Sequence, residues 1–342
     1  MQILQNRRRF LAGLSSASAA GLILSSRSLH AEPPPETTTV RLPQWEDDGF
    51  CWSASYAAEE LLHADGFTDV RYVRGTSNAD NSDWLAQGET DFDINMPSMH
   101  IKSIDAGVPI KVLTGLHSGC FELIGNDSVQ TVKDLKGKKV GLWSLGSHPH
   151  LLVSLMVNYV GLDPKTDIQW VEASDVSPTD LFIEGKIDAI LSAAPEPQEL
   201  RAKKIGHTIV DNGADRPWSQ YFCCMIAGNA EYVSKYPVAT KRILRAILKS
   251  ADLCASNPEL VARRLVETGF SKRYEPVIQT LNAIHHEAWR EFDPADSMRF
   301  YALRMQETGM IKSSPEKIIA DGTDWHFYKE LKREKRRQGI GR

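Results

Sequence analysis

An internal repeat of supersecondary structure limits this 342-residue chain to few architectures. Each half carries a short β run, a loop and a helix, followed by a second strand, a short helix and a third strand. Equivalent points in the two halves lie 95 to 99 residues apart. The clearest match is between Gly88-Glu89-Thr90-Asp91 and Gly185-Lys186-Ile187-Asp188, where a glycine ends a helix and a strand follows. The chain is therefore predicted to contain two units with one topology.

The five elements of each copy can be placed by periodicity. In the first copy they fall, in the order strand, helix, strand, helix, strand, at 40–42, 56–63, 70–73, 84–88 and 90–94. In the second copy they fall at 139–143, 149–160, 168–171, 178–184 and 187–191. Because alternating strands and helices form right-handed βαβ units, the predicted class is α/β, with two mainly parallel sheets flanked by helices.

The last third of the chain changes to helical periodicity. Three helices there are predicted to begin with a capping side chain before a proline, at Asn257-Pro258, Asp293-Pro294 and Ser314-Pro315. The predicted helices span 237–253, 257–268, 294–308 and 315–321. The basic segment Lys329 to Arg337 is predicted to be a frayed, solvated C-terminal helix.

These helices are expected to pack on the first unit, so that the second unit is an insertion. Lobe 1 would comprise residues 38–118 and 226–342, and lobe 2 would comprise residues 119–225. Ligands of open α/β sheets bind at the carboxyl ends of the strands. A ligand cleft is therefore predicted between the lobes, with the two chain crossings as its floor. The loops expected to line it follow Leu42, Ile94, Trp143 and Leu191.

The first 31 residues are predicted to be an export signal that is removed. Arg7-Arg8 precedes Phe10-Leu11, and the apolar stretch from Leu11 to Leu24 is only 14 residues long, too short for a permanent membrane anchor. The paired arginines resemble the twin-arginine signal of proteins that fold before export. An ordinary Sec signal is the alternative. Cleavage near Ala31 would leave a periplasmic protein.

The charge of the chain argues against a nucleic-acid partner. Removing residues 1–31 takes away four arginines and no acids, so the formal net charge changes from −4 to −8. Phosphate binding requires a concentrated basic surface, and the chain has no basic stripe before its C-terminal segment. About 310 residues also exceed a comfortable single core, which favours two lobes.

The five cysteines are predicted to bind no metal and to need no cofactor. They are too scattered for a disulfide scaffold, and no Cys-x-x-Cys or Cys/His spacing is typical of a zinc site. Burial as small apolar groups is expected, and one disulfide bridge is the alternative.

Candidate ligand-binding residues come from the cleft loops and the crossings. The set comprises Trp45, Asn95, Pro97, Ser98, His117, Ser118, Ser144, Ser147, His148, Pro195, Glu196, Arg216, Trp218 and Tyr221. Ser147 or His148 would cap a helix beginning at Pro149, whose free amides can bind an anionic group. Trp218 is interpreted either as a stacking face for the ligand or as a core aromatic. Arg216 is interpreted as an anion partner or as part of an interlobe ion pair.

Four segments carry a family resemblance: Ala57 to Leu62, Ala106 to Leu113, Asp134 to Gly141 and Gly185 to Ala189. In them the chain resembles the NMT1/THI5-like substrate-binding proteins of nitrate, sulfonate and taurine importers. The resemblance implies the bilobal type II periplasmic-binding fold, a monomer, and a cleft that closes on one small organic molecule. It also implies delivery to an ABC permease with its ATPase. With the helix N-terminus, the aromatics and Arg216, the expected ligand is a small organic anion such as a sulfonate or carboxylate.

Two other functions stay open beside this interpretation. The same family name covers proteins that bind or build the thiamine pyrimidine, using a reactive histidine, an iron-binding cysteine run and pyridoxal phosphate. Phe222-Cys223-Cys224-Met225 is similar to only a fragment of such a run. A periplasmic ligand sensor without a permease is the other alternative, because a fold does not fix a function.

Export through the twin-arginine route is testable by replacing Arg7 and Arg8 with lysine. We expect full-length precursor to accumulate in the cytoplasm, because the paired arginines are the recognition signal of this route. Fractionation followed by immunoblotting measures this, with Arg27→Lys as the matched control. Mature-length protein in the periplasm of the double variant would show that another route carries the chain.

Overall fold

A computed structural model describes residues 32–44, 50–74, 81–337 and 339. The predicted signal segment and Trp45 lie outside the described residues. In chain order, the strands are β1 Thr39–Gln44, β2 Asp69–Arg74, β3 Phe92–Asn95, β4 Ile110–His117, β5 Phe121–Gly125, β6 Lys139–Leu142, β7 Gln169–Glu172, β8 Ala189–Ala193, β9 His207–Asp211 and β10 Cys224–Asn229.

Helices flank these strands and fill the last third of the chain. They are α1 Ser53–Tyr56, α2 Glu59–Ala64, α3 Asn81–Ala86, α4 Pro97–Asp105, α5 His148–Tyr159, α6 Pro178–Ile183, α7 Glu196–Ala202, α8 Ala230–Lys235, α9 Pro237–Ser256, α10 Pro258–Glu267, α11 Tyr274–Ala283, α12 Pro294–Glu307, α13 Pro315–Gly322 and α14 His326–Arg337. Short 3₁₀ turns lie at Phe50–Trp52, Val132–Leu135, Trp218–Gln220 and His286–Arg290.

The order of strands along the chain is the same in the two halves, as predicted, but the first half forms two sheets and the second half forms one. β1 pairs in parallel with β2, and β10 lies between β3 and β4 and is antiparallel to both. In the second half the order is β7-β6-β8-β5-β9, with β7, β6 and β8 parallel and β5 antiparallel to its neighbours. β5 and β10 are the strands that enter each sheet from the other half. They run opposite to the other strands because they enter at the edge where those strands end.

An aspartate joins three strands at the same place in each half. In the first half, the Asp91 carboxylate accepts the backbone N–H of Arg41 at 2.7 Å, and the Asp91 N–H donates to the Arg41 carbonyl at 2.9 Å. In the second half, the Asp188 carboxylate accepts the N–H of Lys139 at 2.9 Å, and the Asp188 N–H donates to the Lys139 carbonyl at 2.8 Å. Asp91 and Asp188 are the last residues of the two copies of the Gly-x-x-Asp motif in this chain. The repeated motif therefore holds the third strand of each half beside the first.

Each aspartate also fixes the strand that crosses from the other half. The Asp91 carbonyl accepts the N–H of Asn229 at 2.9 Å, and the Asp188 carbonyl accepts the N–H of Asn126 at 2.9 Å. Asn229 ends β10, and Asn126 follows β5. Asp91 in addition binds the Arg41 guanidinium at 2.6 Å, and its side chain is buried. The two halves therefore share a hydrogen-bonding scheme as well as an order of strands.

The predicted caps of the later helices are confirmed. The side chains of Asn257, Asp293 and Ser314 accept N–H groups from the first turns of α10, α12 and α13. Helix α11 was not predicted, because its segment lacks a cap–proline signal. The two lobes stay a prediction, although the chain does pass between the sheets at residues 118–120 and 212–223.

The prediction of a frayed, solvated C-terminal helix is wrong. Phe327, Tyr328 and Leu331 on α14 are buried. The Tyr328 hydroxyl donates to the Phe292 carbonyl at 3.1 Å, and Glu330 pairs with Lys241 at 3.0 Å. These apolar side chains dock the helix, and Lys335 adds an ion pair with Asp252 and lies 4.4 Å from the centroid of the Trp289 ring.

The aspartate scheme predicts unequal losses of stability. We expect Asp91→Ala to lower the free energy of unfolding by about 2–4 kcal/mol, because it removes a charge-assisted pair and leaves a strand N–H without its partner. We expect Asp188→Ala to cost about 1–2 kcal/mol, because Lys139 is exposed and water can replace the carboxylate. Urea denaturation measures both, with the exposed Asp127→Ala as a control within about 0.5 kcal/mol. A loss for Asp91→Ala no larger than for the control would contradict the scheme.

Candidate functional site

Three helices that begin after strands, α4, α5 and α7, lack side-chain caps. α6, α8, α10, α12 and α13 are each capped by a side chain that accepts a first-turn N–H group. α4 follows β3 and α5 follows β6, and neither has a side-chain cap. Uncapped helix N-termini present free amides and a positive dipole end. These two termini, one from each half, are the centre of the candidate site.

The N-terminus of α5 is left open by the hydrogen bonds of its own loop. Ser147 occupies the N-cap position as predicted, but its hydroxyl donates to the Ser144 carbonyl at 2.6 Å and does not bind an amide. Gly146 has φ +83° and donates its N–H to His150 Nδ1 at 3.0 Å. Burial lowers the pKa of His150, which keeps the imidazole neutral so that Nδ1 can accept this bond. Ser147 therefore occupies the N-cap position, as predicted, but its side chain does not cap the helix.

The N-terminus of α4 holds a buried hydroxyl. Asn95 ends β3 and accepts the N–H of Met96 at 2.9 Å, and Pro97 begins the helix. Ser98 is fully buried, and its Oγ has no hydrogen-bond partner among the described residues. A buried hydroxyl without a partner costs free energy, so an unpaired Oγ at a helix N-terminus is a natural ligand contact.

Lys102 brings a cation to the loop before α5. Its Nζ donates to the Gly146 carbonyl at 3.2 Å, which joins α4 of the first half to the second half. Two apolar side chains in the same loop are exposed, Trp143 at 57% and Leu145 at 55%. Sequence reasoning missed Lys102 and did not select Trp143. The spacing of four residues between Ser98 and Lys102, which places both along one stripe of α4, could have indicated the lysine.

Glu196, predicted after β8 as a ligand contact, forms hydrogen bonds within the second half. Glu196 begins α7 and accepts hydrogen bonds from Ser192 Oγ and from Thr179 Oγ1, the latter at 3.1 Å. Pro195 follows a cis peptide bond. His148 lies against Phe121, with ring centroids 5.2 Å apart.

The first crossing forms a close backbone contact, as its small residues predicted. Gly119 has φ +75°, and a Cβ at this position would lie 3.0 Å from Gly213 Cα in the return crossing. Ser118 is buried and accepts the N–H of His285 at 3.0 Å. His117 is fully buried, and its Nε2 lies 2.9 Å from the Cys51 carbonyl oxygen. His117 therefore points into the protein interior.

The aromatics of the return crossing pack on α12. Trp218 is 4% exposed and lies edge-on to Tyr159 and Phe300, with centroids 5.9 and 5.7 Å apart. Tyr221 stacks on Phe300 at 3.9 Å. Arg216 is exposed. These contacts favour the core interpretation of Trp218 over a stacking face for a ligand.

The comparisons with known proteins agree with this architecture. A family model described as NMT1/THI5 like matches residues 63–260, more than half of the 342 residues. The periplasmic nitrate-binding protein NrtA from Synechocystis PCC 6803 has a TM-score of 0.72 at 14% identity, with 88% of this chain and 90% of NrtA covered. None of the curated proteins compared with the chain matches it in sequence.

Two sulfonate-binding proteins are also similar in structure. SsuA from Xanthomonas axonopodis pv. citri, bound to MOPS, has a TM-score of 0.66 at 15% identity, with 86% of this chain and 99% of SsuA covered. SsuA from Escherichia coli has a TM-score of 0.64 at 18% identity, with coverage of 83% and 92%. The predicted α/β class with a periplasmic-binding-protein fold is thereby confirmed. Among the described helices, none is both long and apolar enough to cross a bilayer.

The packing of Trp218 is testable against an exposed tryptophan. We expect Trp218→Ala to lower the free energy of unfolding by about 3–5 kcal/mol, because it leaves a cavity among aromatic side chains. We expect Trp143→Ala to stay within about 0.5 kcal/mol of wild type, because its ring is exposed. Chemical denaturation monitored by circular dichroism measures both. Equal stability of the two variants would contradict a core role for Trp218.

Proposed function

This chain belongs to the NMT1/THI5-like family, and from that premise we propose that it is the periplasmic solute-binding component of an ABC importer. Its ligand is a small organic anion, sulfonate-like or carboxylate-like, held in the cleft between the two halves. The bound form delivers the anion to a permease and its ATPase in the inner membrane. NrtA and SsuA, two of its structural neighbours, are by their names nitrate-binding and sulfonate-binding proteins, which supports this class of function.

The observation that carries the proposal is that two helix N-termini without side-chain caps, those of α4 and α5, are joined by a contact between the halves. α4 and α5 come from different halves, and the contact between Lys102 and Gly146 brings the two regions together. Free first-turn amides, the buried Ser98 hydroxyl and the Lys102 ammonium all favour negative charge. An anionic head between these groups would be bound from both halves at once.

The exposed apolar side chains beside this region favour an organic anion over an inorganic one as the ligand. Trp143 and Leu145 lie in the loop that precedes α5. A sulfonate or carboxylate with an apolar body would cover them, whereas nitrate would leave them in water. Contacts to both halves would make the closed arrangement more stable than the open one, with rotation at the crossings near Gly119 and Gly213.

A ligand screen by thermal shift tests the proposal. We expect sulfonates or carboxylates with an apolar body to raise the melting temperature, because tight ligands stabilise the native state by mass action. The panel also contains nitrate, pyrimidines, and neutral and cationic compounds. Stabilisation only by neutral or cationic compounds would refute an anion site, and selective stabilisation by pyrimidines would favour the thiamine-precursor alternative.

Two variants then locate the site by calorimetry with the best anion. We expect Lys102→Met to weaken binding about tenfold, the scale of one exposed charge-assisted hydrogen bond, and Trp143→Ala to weaken it by about 1–2 kcal/mol through lost apolar contact. Lys186→Met is the matched control, because Lys186 lies at the opposite edge of the second sheet and pairs with Glu184 at 2.6 Å. Unchanged affinity in both site variants would place the ligand elsewhere.

A further inference from the structure

Four of the five cysteines lie together in space although they are scattered in the sequence. Cys120 belongs to the first crossing, Cys223 and Cys224 end the return crossing, and Cys51 follows the first β strand. The donor atoms of His117, Cys120 and Cys224 all lie within 4.8 Å of one another, and all three residues are buried. Cys120, Cys223 and Cys224 are buried and free, as predicted, and the two crossings bring these distant segments side by side.

Local structure explains why these side chains meet. His117 and Cys224 are partners in the antiparallel ladder of β4 and β10, so their side chains are neighbours across the strands. The N–H of Cys223 donates to the His117 carbonyl at 2.9 Å and secures this register. Gly119, at φ +75°, then turns the chain so that Cys120 returns toward His117.

The His117 ring is oriented with a free lone pair facing the thiols. Its Nε2 lies 2.9 Å from the Cys51 carbonyl oxygen, which can only accept, so Nε2 carries the hydrogen. Nδ1 is then unprotonated, and it lies 3.3 Å from Cys120 Sγ. A backbone carbonyl that fixes the tautomer of a histidine is the usual support of a metal ligand.

The distances fit one tetrahedral ion. Metal–sulfur bonds of about 2.3 Å and a metal–nitrogen bond of about 2.0 Å place two sulfurs about 3.8 Å apart, and sulfur about 3.5 Å from nitrogen. Cys120 Sγ and Cys224 Sγ are 3.9 Å apart, and Cys120 Sγ and His117 Nδ1 are 3.3 Å apart. The two sulfurs are farther apart than the bond of about 2.0 Å in a disulfide, and their spacing is compatible with two ligands of one metal as well as with a thiol–thiol hydrogen bond.

Cys223 is the chain neighbour of Cys224 and is also buried, but it is not one of the three residues whose donor atoms converge. Asn212 Nδ2 lies 3.6 Å from its sulfur. The fifth cysteine, Cys254, is a useful contrast: it is buried in α9, and desolvation raises its pKa to about 12, as expected for a thiol packed as an apolar group.

A second buried imidazole next to the cluster lacks a partner. His286 is fully buried with its ring centroid 5.3 Å from that of His117, and neither ring nitrogen has a hydrogen-bond partner among the described residues. An unpartnered polar ring in a protein interior usually marks a bound ion or water. The unsatisfied polar atoms beside the cluster are therefore the two ring nitrogens of His286.

We propose that His117, Cys120 and Cys224 bind one Zn²⁺ ion at the junction of the two crossings. On binding, each ligating S–H bond breaks, sulfur donates the electron pair to the metal, and the proton leaves to solvent; no electron is transferred. His117 Nδ1 donates its lone pair without losing a proton. The ion joins the outgoing crossing to the return crossing, and so it stiffens the segment about which the two halves would move.

Metal analysis of the full chain tests this site. The protein is produced in zinc-containing medium, purified without chelator under reducing conditions, and assayed by mass spectrometry of the metal. We expect about one Zn²⁺ per chain in wild type and in Cys254→Ser, the matched buried control. In Cys120→Ser and Cys224→Ser we expect affinity to fall about 100-fold or more, because a lost ligand costs more than the roughly 10–100-fold of a lost outer partner.

Cobalt substitution gives a readout that does not depend on how the variants fold. Refolding wild type with Co²⁺ should give the visible bands of a tetrahedral site and thiolate-to-cobalt charge-transfer bands, and Cys254→Ser should give the same spectrum. The proposal is overturned if wild-type protein shows no thiolate bands, or if zinc content is equal in all four proteins. It is also overturned if the native, metal-free protein has a mass two hydrogens lower and Cys120 and Cys224 resist alkylation, which would reveal a disulfide.

Discussion

The arrangement of this protein depends on a carboxylate that accepts the backbone N–H at the start of each first strand. Asp91 and Asp188 do this in the two halves, and each also holds the crossing strand through its carbonyl. A strand placed beside its neighbour by side-chain and backbone bonds together cannot slip in register without losing both. The carboxyl ends of the strands in each half are thereby held at one edge, where the candidate site lies.

Side-chain caps are present on some helices of this molecule and absent from others. α6, α8 and α10 satisfy first-turn amides with Ser or Asn side chains. α4 and α5 leave theirs open, and Ser147, which could cap α5, turns its hydroxyl to Ser144. A cap contributes about 1 kcal/mol, so an open terminus gives up stability that a bound anion can restore.

The proposed hinge and the proposed metal site both lie at the crossings. Gly119 and Gly213 allow the two segments to approach to a distance that no larger residue permits. That close approach places Cys120 beside Cys224 and His117, so the same geometry that could act as a hinge also forms the proposed metal site. A metal bound there would couple hinge stiffness to metal loading, independently of which anion the cleft holds.

Local signals were sufficient to predict the order of strands and helices and the caps at Asn257, Asp293 and Ser314, because each depends on residues within a few positions of one another. The repeat was found by comparing these local patterns between the two halves. The docking of α14, the burial of Trp218 and the meeting of Lys102 with Gly146 were decided only in three dimensions. So was the cysteine cluster, whose members lie up to 173 residues apart, from Cys51 to Cys224. Periodicity records which side of an element is apolar, but it carries no information on which distant segment will cover that side.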